Sequence, residues 1–116
     1  MNIEKLREIC LSLPGVTEDV KWGNDLCFSV GSKMFAVTGV DDGSGGVSVK
    51  TTPERFAELT ERSGIRPAHY VARYHWITVE DPAAATSDEM EQLIRESYQL
   101  VFDKLPARIK KTISET

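Results

Sequence analysis

The feature that most constrains the fold is an alternating segment that runs directly into a glycine-containing turn. From Leu26 to Val30, apolar side chains alternate with Cys27 and Ser29, which is the period of a strand with one buried face. Gly31-Ser32 follows, and glycine readily adopts the positive φ that a two-residue hairpin needs. The pattern therefore predicts an antiparallel meander with strands over Leu26–Val30, Lys33–Val40 and Val47–Lys50 and a flexible connection over 41–46.

Helices are predicted on both sides of this meander. Ile3, Leu6, Cys10 and Leu13 recur at helical spacing, and the caps are Asn2 before the helix and Pro14-Gly15 after it. Further helices are predicted from Thr52, from a Thr86/Glu89 capping box to Leu105, and after Pro106, with a strand over His75–Glu80.

This order of elements predicts one α+β domain over residues 1–116. Helices would pack on one face of an antiparallel β-sheet in two layers, and the other face would stay partly open. At 116 residues, the chain is long enough to bury a core without a metal or a disulfide. The net charge of −4 means that any contact with nucleic acid has to rest on a local basic patch.

Several sequence patterns that would indicate an oxidising compartment, a membrane, a metal or catalysis are absent from this chain. Cys10 and Cys27 form no C-x-x-C pair and occupy apolar positions, which indicates buried free thiols in a reducing cytoplasm. No apolar run approaches the length of a membrane span, so we expect no membrane partner. His69 and His75 with Cys27 show no metal-ligand spacing, and no nucleophile has a recognisable base. We therefore expect a non-enzymatic protein without a cofactor or metal.

Basic and aromatic residues concentrate between Arg66 and Glu80. Trp76 and Thr78 share the strand face opposite Ile77 and Val79, and the same parity turns Lys50 outward on its own strand. Cations for phosphates beside an aromatic ring for stacking would suit a nucleic-acid platform. The alternative is that Trp76 closes the edge of the sheet and that the arginines form surface ion pairs.

A second basic cluster lies near the C-terminus. Lys104, Arg108 and Lys111 fall near helical spacing, with Lys110 adjacent. Cations late in a helix complement its negative end, so we interpret this cluster as dipole compensation, with phosphate contact secondary.

Short motifs in a fixed order indicate a family. These are Leu13-Pro-Gly-Val16, Trp22-Gly-Asn-Asp-Leu-Cys-Phe28, Lys33-Met-Phe-Ala36, Ser48-Val-Lys50, Pro67-Ala-His-Tyr-Val71, His75-Trp76 and Ser97-Tyr98 before Lys104-Leu-Pro106. In these motifs the chain resembles, nearly end to end, the MmcQ/YjbR family of small bacterial proteins. The resemblance implies a frataxin-like (CyaY-like) fold of the double-wing type and a DNA-binding role, and it carries no catalytic residues.

Together these observations predict a weak, salt-sensitive DNA-binding protein. The alternative is a module that binds a protein or a small ligand through the same face, with Trp76 as its anchor. The predicted nucleic-acid contacts are Lys33, Lys50, Arg66, Arg73, His75 and Trp76.

Overall fold

The computed structural model describes residues 2–21, 25–39, 46–68 and 74–115. The helices are α1 (Ile3–Leu11), α2 (Pro53–Leu59), α3 (Ser87–Asp103) and α4 (Ala107–Ser114). The strands are β1 (Val16–Lys21), β2 (Asp25–Val30), β3 (Lys33–Gly39), β4 (Val47–Lys50), β5 (Ile65–Pro67) and β6 (Trp76–Val79). They form one antiparallel sheet in the order β1-β2-β3-β4-β6-β5.

The α+β class and the meander β2-β3-β4 are confirmed, and the sheet is larger than predicted. Strands β1 and β5 were not predicted, and they form the two edges of the sheet. Helix α1 ends at Leu11 rather than Leu13. Residues 41–45 of the connection predicted over 41–46 lie outside the described residues, as do Trp22, His69 and Arg73.

The helix starts follow the predicted capping chemistry. The Asn2 side chain accepts a 2.8 Å hydrogen bond from the backbone nitrogen of Lys5, and Thr52 caps α2 in the same way. Thr86 and Glu89 form the reciprocal capping box at the start of α3. Because these side chains satisfy otherwise unpaired backbone donors, they fix where each helix begins.

The turn between β2 and β3 is a contact point as well as a hairpin. Gly31 and Ser32 both have positive φ, 56° and 68°, as a type I′ turn requires. A Cβ atom added at Gly31 would lie 2.7 Å from Leu105 and 3.3 Å from Ile109. The turn therefore packs directly on the α3–α4 connection.

All the helices contribute to one core on one face of the sheet. Leu6, Leu59, Leu93 and Ile113 come from the helix layer and join a buried cluster with strand residues such as Phe28. On the opposite face of the sheet, one row of paired residues runs across five neighbouring strands: Cys27, Val37, Ser48, Thr78 and Arg66. In the described part of the chain, no helix is both long and apolar enough to cross a membrane.

Candidate functional site

His75 lies immediately before β6 in an unusual backbone conformation. Its φ is 67°, which is uncommon for a residue that carries a Cβ atom. Its carbonyl oxygen accepts hydrogen bonds from the backbone nitrogen of Thr51 at 2.9 Å and from the Thr51 hydroxyl at 2.6 Å. Its ring meets Phe56 of α2 edge to face, with centroids 5.6 Å apart. These contacts give the half-buried His75 a structural role.

Trp76 lies opposite Lys50 in the ladder, on the face away from the helices, as the strand parity predicts. However, its side chain is only 8% exposed. The predicted exposure of Trp76 is therefore wrong, because this face is closed here: Thr78 and Cys27 are 3% and 1% exposed. A buried indole cannot serve as a stacking platform for a base.

Arg66 is also less available than the sequence suggests. Its guanidinium forms an ion pair with Glu80, and it donates a 3.2 Å hydrogen bond to the carbonyl oxygen of Pro67. Arg66 and Glu80 are therefore the surface ion pair that the alternative interpretation expected. Arg73 lies outside the described residues.

Ion pairing divides the cations of the described chain into two groups. The paired ones are Lys5, Arg7, Arg55, Arg62, Arg66 and Arg95. Within the residues that the structure describes, Lys21 and the lysines and arginines at the opposite end of the sheet form no ion pair. We call the cations at that opposite end the basic end: Lys33, Lys50, Lys104, Arg108, Lys110 and Lys111.

The topology brings these residues together. Because β3 and β4 are antiparallel, with Ala36 opposite Val49, the start of β3 at Lys33 and the end of β4 at Lys50 lie at the same end of the sheet. Helix α4 lies across this end. Cβ atoms added at Gly15 and Gly31 would come within 2.9 Å and 3.3 Å of its residues Ile113 and Ile109.

The end of β4 is fixed by a hydroxyl group from α3. The Ser97 hydroxyl donates a 2.6 Å hydrogen bond to the carbonyl oxygen of Phe35 and accepts a 2.9 Å bond from the backbone nitrogen of Lys50. The register between β2 and β3 shifts between Phe28, which pairs with Ala36, and Ser29, which pairs with Met34. Phe35 therefore has no partner in β2 and forms a β-bulge in β3. Ser97 thus bonds the backbone groups of Phe35 and Lys50 that β3 and β4 do not bond to each other.

The ammonium group of Lys50 is electrostatically perturbed. Burial lowers the pKa of Lys50, and the positive charge of Lys104 and a side-chain contact with Lys104 lower it further. The neighbouring acid, Asp103, accepts a 2.6 Å hydrogen bond from Gln99, and its backbone carbonyl accepts one from Lys110. Two like charges therefore lie side by side without a compensating carboxylate from the described residues.

The basic residues of this site can be recognised in the sequence, but their grouping at one end of the sheet cannot. Sequence spacing near a helix end predicts dipole compensation for Lys104, Arg108 and Lys111, but Lys104 caps α3 whereas Arg108 and Lys111 belong to α4. Their proximity to Lys33 and Lys50 depends on pairing between distant segments. In the described ranges, no group of three or more histidine, cysteine or acidic residues could hold a metal ion.

The fold and the site define a class: a small two-layer α+β protein with a cationic end to its sheet. Comparison with known proteins identifies the family. The YjbR family model matches residues 11–100, and the chain belongs to this family. It is 30% identical over 118 residues to the uncharacterized protein YjbR of Escherichia coli strain K12, covering 97% of this chain and 98% of that one.

The chain is also similar to another curated protein and to two solved structures. The uncharacterized protein YbdF of Escherichia coli O157:H7 is 26% identical over 113 residues, which is 95% of this chain and 92% of YbdF. Among solved structures, the DUF419 protein DR2400 of Deinococcus radiodurans superposes with a TM-score of 0.88 at 28% identity, covering 97% of this chain and 88% of that chain. A Pseudomonas syringae protein shares the fold, with a TM-score of 0.68 at 24% identity and coverage of 87% and 99%.

Proposed function

We propose that this protein is a non-enzymatic, cytoplasmic binding domain whose basic end contacts the phosphates of a nucleic acid. The observation that carries the proposal is a group of cations at one end of an acidic chain that form no ion pair with a described residue, whereas every other described cation except Lys21 is ion-paired. Unpaired lysines and arginines that converge on one surface are the usual source of phosphate contacts. The two cysteines are buried and free, which suits a reducing compartment.

The proposal moves the predicted interface rather than discarding it. Lys33 and Lys50 remain contacts, whereas Lys104, Arg108 and Lys111 replace Arg66, His75 and Trp76; the sixth predicted contact, Arg73, lies outside the described residues. Because Trp76 is buried, the contacts would be mainly with the sugar–phosphate backbone. We therefore expect weak binding with little sequence preference and a strong dependence on salt.

The experiment is fluorescence anisotropy of labelled double- and single-stranded DNA and RNA, titrated with protein at several salt concentrations. Each phosphate contact contributes about −0.9 to the slope of log K against log salt on duplex DNA. Lys104→Gln should weaken binding to all sequences alike and reduce the steepness of that slope by about one. Lys21→Gln is the matched control, because Lys21 also forms no ion pair with a described residue and lies opposite Asp25, at the other end of the sheet.

Two results would overturn the proposal. One is the absence of saturable binding even at low salt. The other is an equal effect of Lys104→Gln and Lys21→Gln, since both remove one positive charge from the whole molecule. Binding that persists unchanged at high salt would instead favour the alternative, a protein or small-molecule partner, because apolar contacts do not depend on counterion release.

A further inference from the structure

Lys50 and Lys104 are positioned by the same helix. The backbone nitrogen of Lys50 is hydrogen-bonded to Ser97, whose side chain is fully buried and therefore fixed. Lys104 is the C-terminal cap residue of the same helix, α3. Seven residues of α-helix advance by about 10 Å, a distance that two flexible lysine stems can span between them.

Holding two ammonium groups together is unfavourable unless something offsets their repulsion. The partial burial of Lys50 and, after it, the nearby charge of Lys104 both disfavour the charged form of Lys50. Neither lysine has an ion-pair partner among residues 2–21, 25–39, 46–68 and 74–115. The C-terminal end of α3 attracts the cation of Lys104, but it does not compensate Lys50. A bound anion would compensate both charges.

We infer that Lys50 and Lys104 together bind a phosphate monoester dianion, such as the 5′-terminal phosphate of a nucleic-acid strand. A phosphodiester in the backbone carries one negative charge, whereas a monoester carries about 1.5 to 2 at pH 7 and presents three strong acceptor oxygens. Each ammonium group has three donors, so a monoester can bond to both lysines at once. The version of this inference in which the monoester is the 5′-terminal phosphate of a nucleic acid rests on the proposed function, because it requires the protein to bind nucleic acid.

The experiment compares two labelled duplexes that differ only in a 5′-phosphate or a 5′-hydroxyl at the unlabelled end. The wild-type protein should bind the phosphorylated duplex more tightly by about fivefold, the effect of one favourable charge contact. Lys50→Gln and Lys104→Gln should each remove this preference. Lys111→Gln is the matched control and should weaken binding to both duplexes while keeping their ratio.

A second arm uses inorganic phosphate, with chloride at the same ionic strength as reference, and follows the backbone amide signals of Lys50, Ser97 and Lys104 by NMR. Saturable phosphate-specific shifts together with the end preference assign the site to nucleic-acid ends. The same shifts without an end preference assign it to small phosphate monoesters. Equal affinity of the wild-type protein for both duplexes, together with no phosphate-specific shift, would overturn the inference. If the wild-type protein binds neither duplex, the proposed function is overturned instead.

Discussion

The hydroxyl group of Ser97 donates a hydrogen bond to the carbonyl oxygen of Phe35, 62 residues earlier in the chain. Ser97 is fully buried in α3, and Phe35 is the extra residue of a β-bulge in β3. The ring of Phe35 also meets that of the next helix residue, Tyr98, edge to face at 5.4 Å. One turn of α3 thus contacts the β-bulge of β3 through Ser97 and Tyr98, and these contacts fix the position of the helix along the sheet.

Replacing Ser97 with alanine should destabilise the protein. The Phe35 carbonyl and the Lys50 amide would both lose a hydrogen-bond partner, and an unsatisfied buried polar group costs about 1–3 kcal/mol. We expect the free energy of unfolding to fall by about 2 kcal/mol, measured by urea denaturation. Ser87→Ala, at the exposed first residue of α3, is the control. Equal stability of the two variants would contradict a role for Ser97 in joining helix and sheet.

Gly31→Ala should be destabilising for two reasons. The left-handed φ of 56° costs a residue with a Cβ atom about 1–2 kcal/mol, and the new methyl group would lie within 2.8 Å of Leu105. Gly39→Ala is the comparison, because a Cβ atom there meets no atom within 4 Å. Thermal unfolding should give a clearly lower Tm for Gly31→Ala alone. Similar Tm values for both variants would show that the turn does not pack on the α3–α4 connection in solution.

The Cys10 thiol should react only when the protein opens. Burial, together with the negative charge of Glu18, raises the pKa of Cys10 to about 12, so the reactive thiolate is scarce in the folded state. In a Cys27→Ala variant, modification by an aromatic disulfide reagent at pH 8 should be slow and should accelerate with urea. Fast reaction without urea would contradict the buried position of Cys10.

The same pKa shift has a consequence for stability at high pH. Because folding raises the pKa of Cys10, the unfolded thiol ionises first as the pH rises. Its contribution to the free energy of unfolding is complete below the ordinary thiol pKa of about 8.5 and is lost as the pH rises towards the folded value. Cys10→Ala should therefore have a flatter alkaline stability profile than the wild type, whatever its absolute stability.

The ion pair between Arg7 and Glu18 should contribute to stability at neutral pH and be lost in acid. Arg7 donates two hydrogen bonds to the Glu18 carboxylate, at 2.9 Å and 2.6 Å, which lowers the pKa of Glu18. The contribution is therefore present above the unfolded pKa of about 4.3 and disappears as the pH falls through the lower folded value. Glu18→Gln should reduce the slope of stability against pH in this acidic range, measured by urea unfolding. An unchanged slope would show that the pair does not form in solution.

Local patterns in the sequence were sufficient for much of the fold. The Gly31-Ser32 hairpin and the caps at Asn2, Thr52 and Thr86 depend on neighbouring residues, and the structure confirms them. Strand β1 was missed because it is an edge strand in which no residue is fully buried, and its Glu18-Asp19 pair resembles a solvated loop. Strand β5 was missed because it has only three residues and ends in proline.

The candidate site was predicted less completely because it depends on contacts between distant segments. Strand parity placed Trp76 on the correct face, but parity cannot show whether that face is covered. The sequence also could not show that Arg66 has Glu80 as a partner 14 residues away. Lys104 and Lys50 are 54 residues apart in the sequence, and they come close because α3 packs on the sheet, where Ser97 bonds to the end of β4.

The position of the basic end changes what the net charge of −4 means. The molecule is 40 Å long, whereas charges in physiological salt influence one another over a Debye length of about 8 Å. A polyanion near Lys50 and Lys104 therefore experiences a cationic surface, and acidic residues several Debye lengths away are screened. We therefore expect an anion-exchange resin to bind the other surfaces of this protein, and a phosphate-bearing resin to bind the basic end.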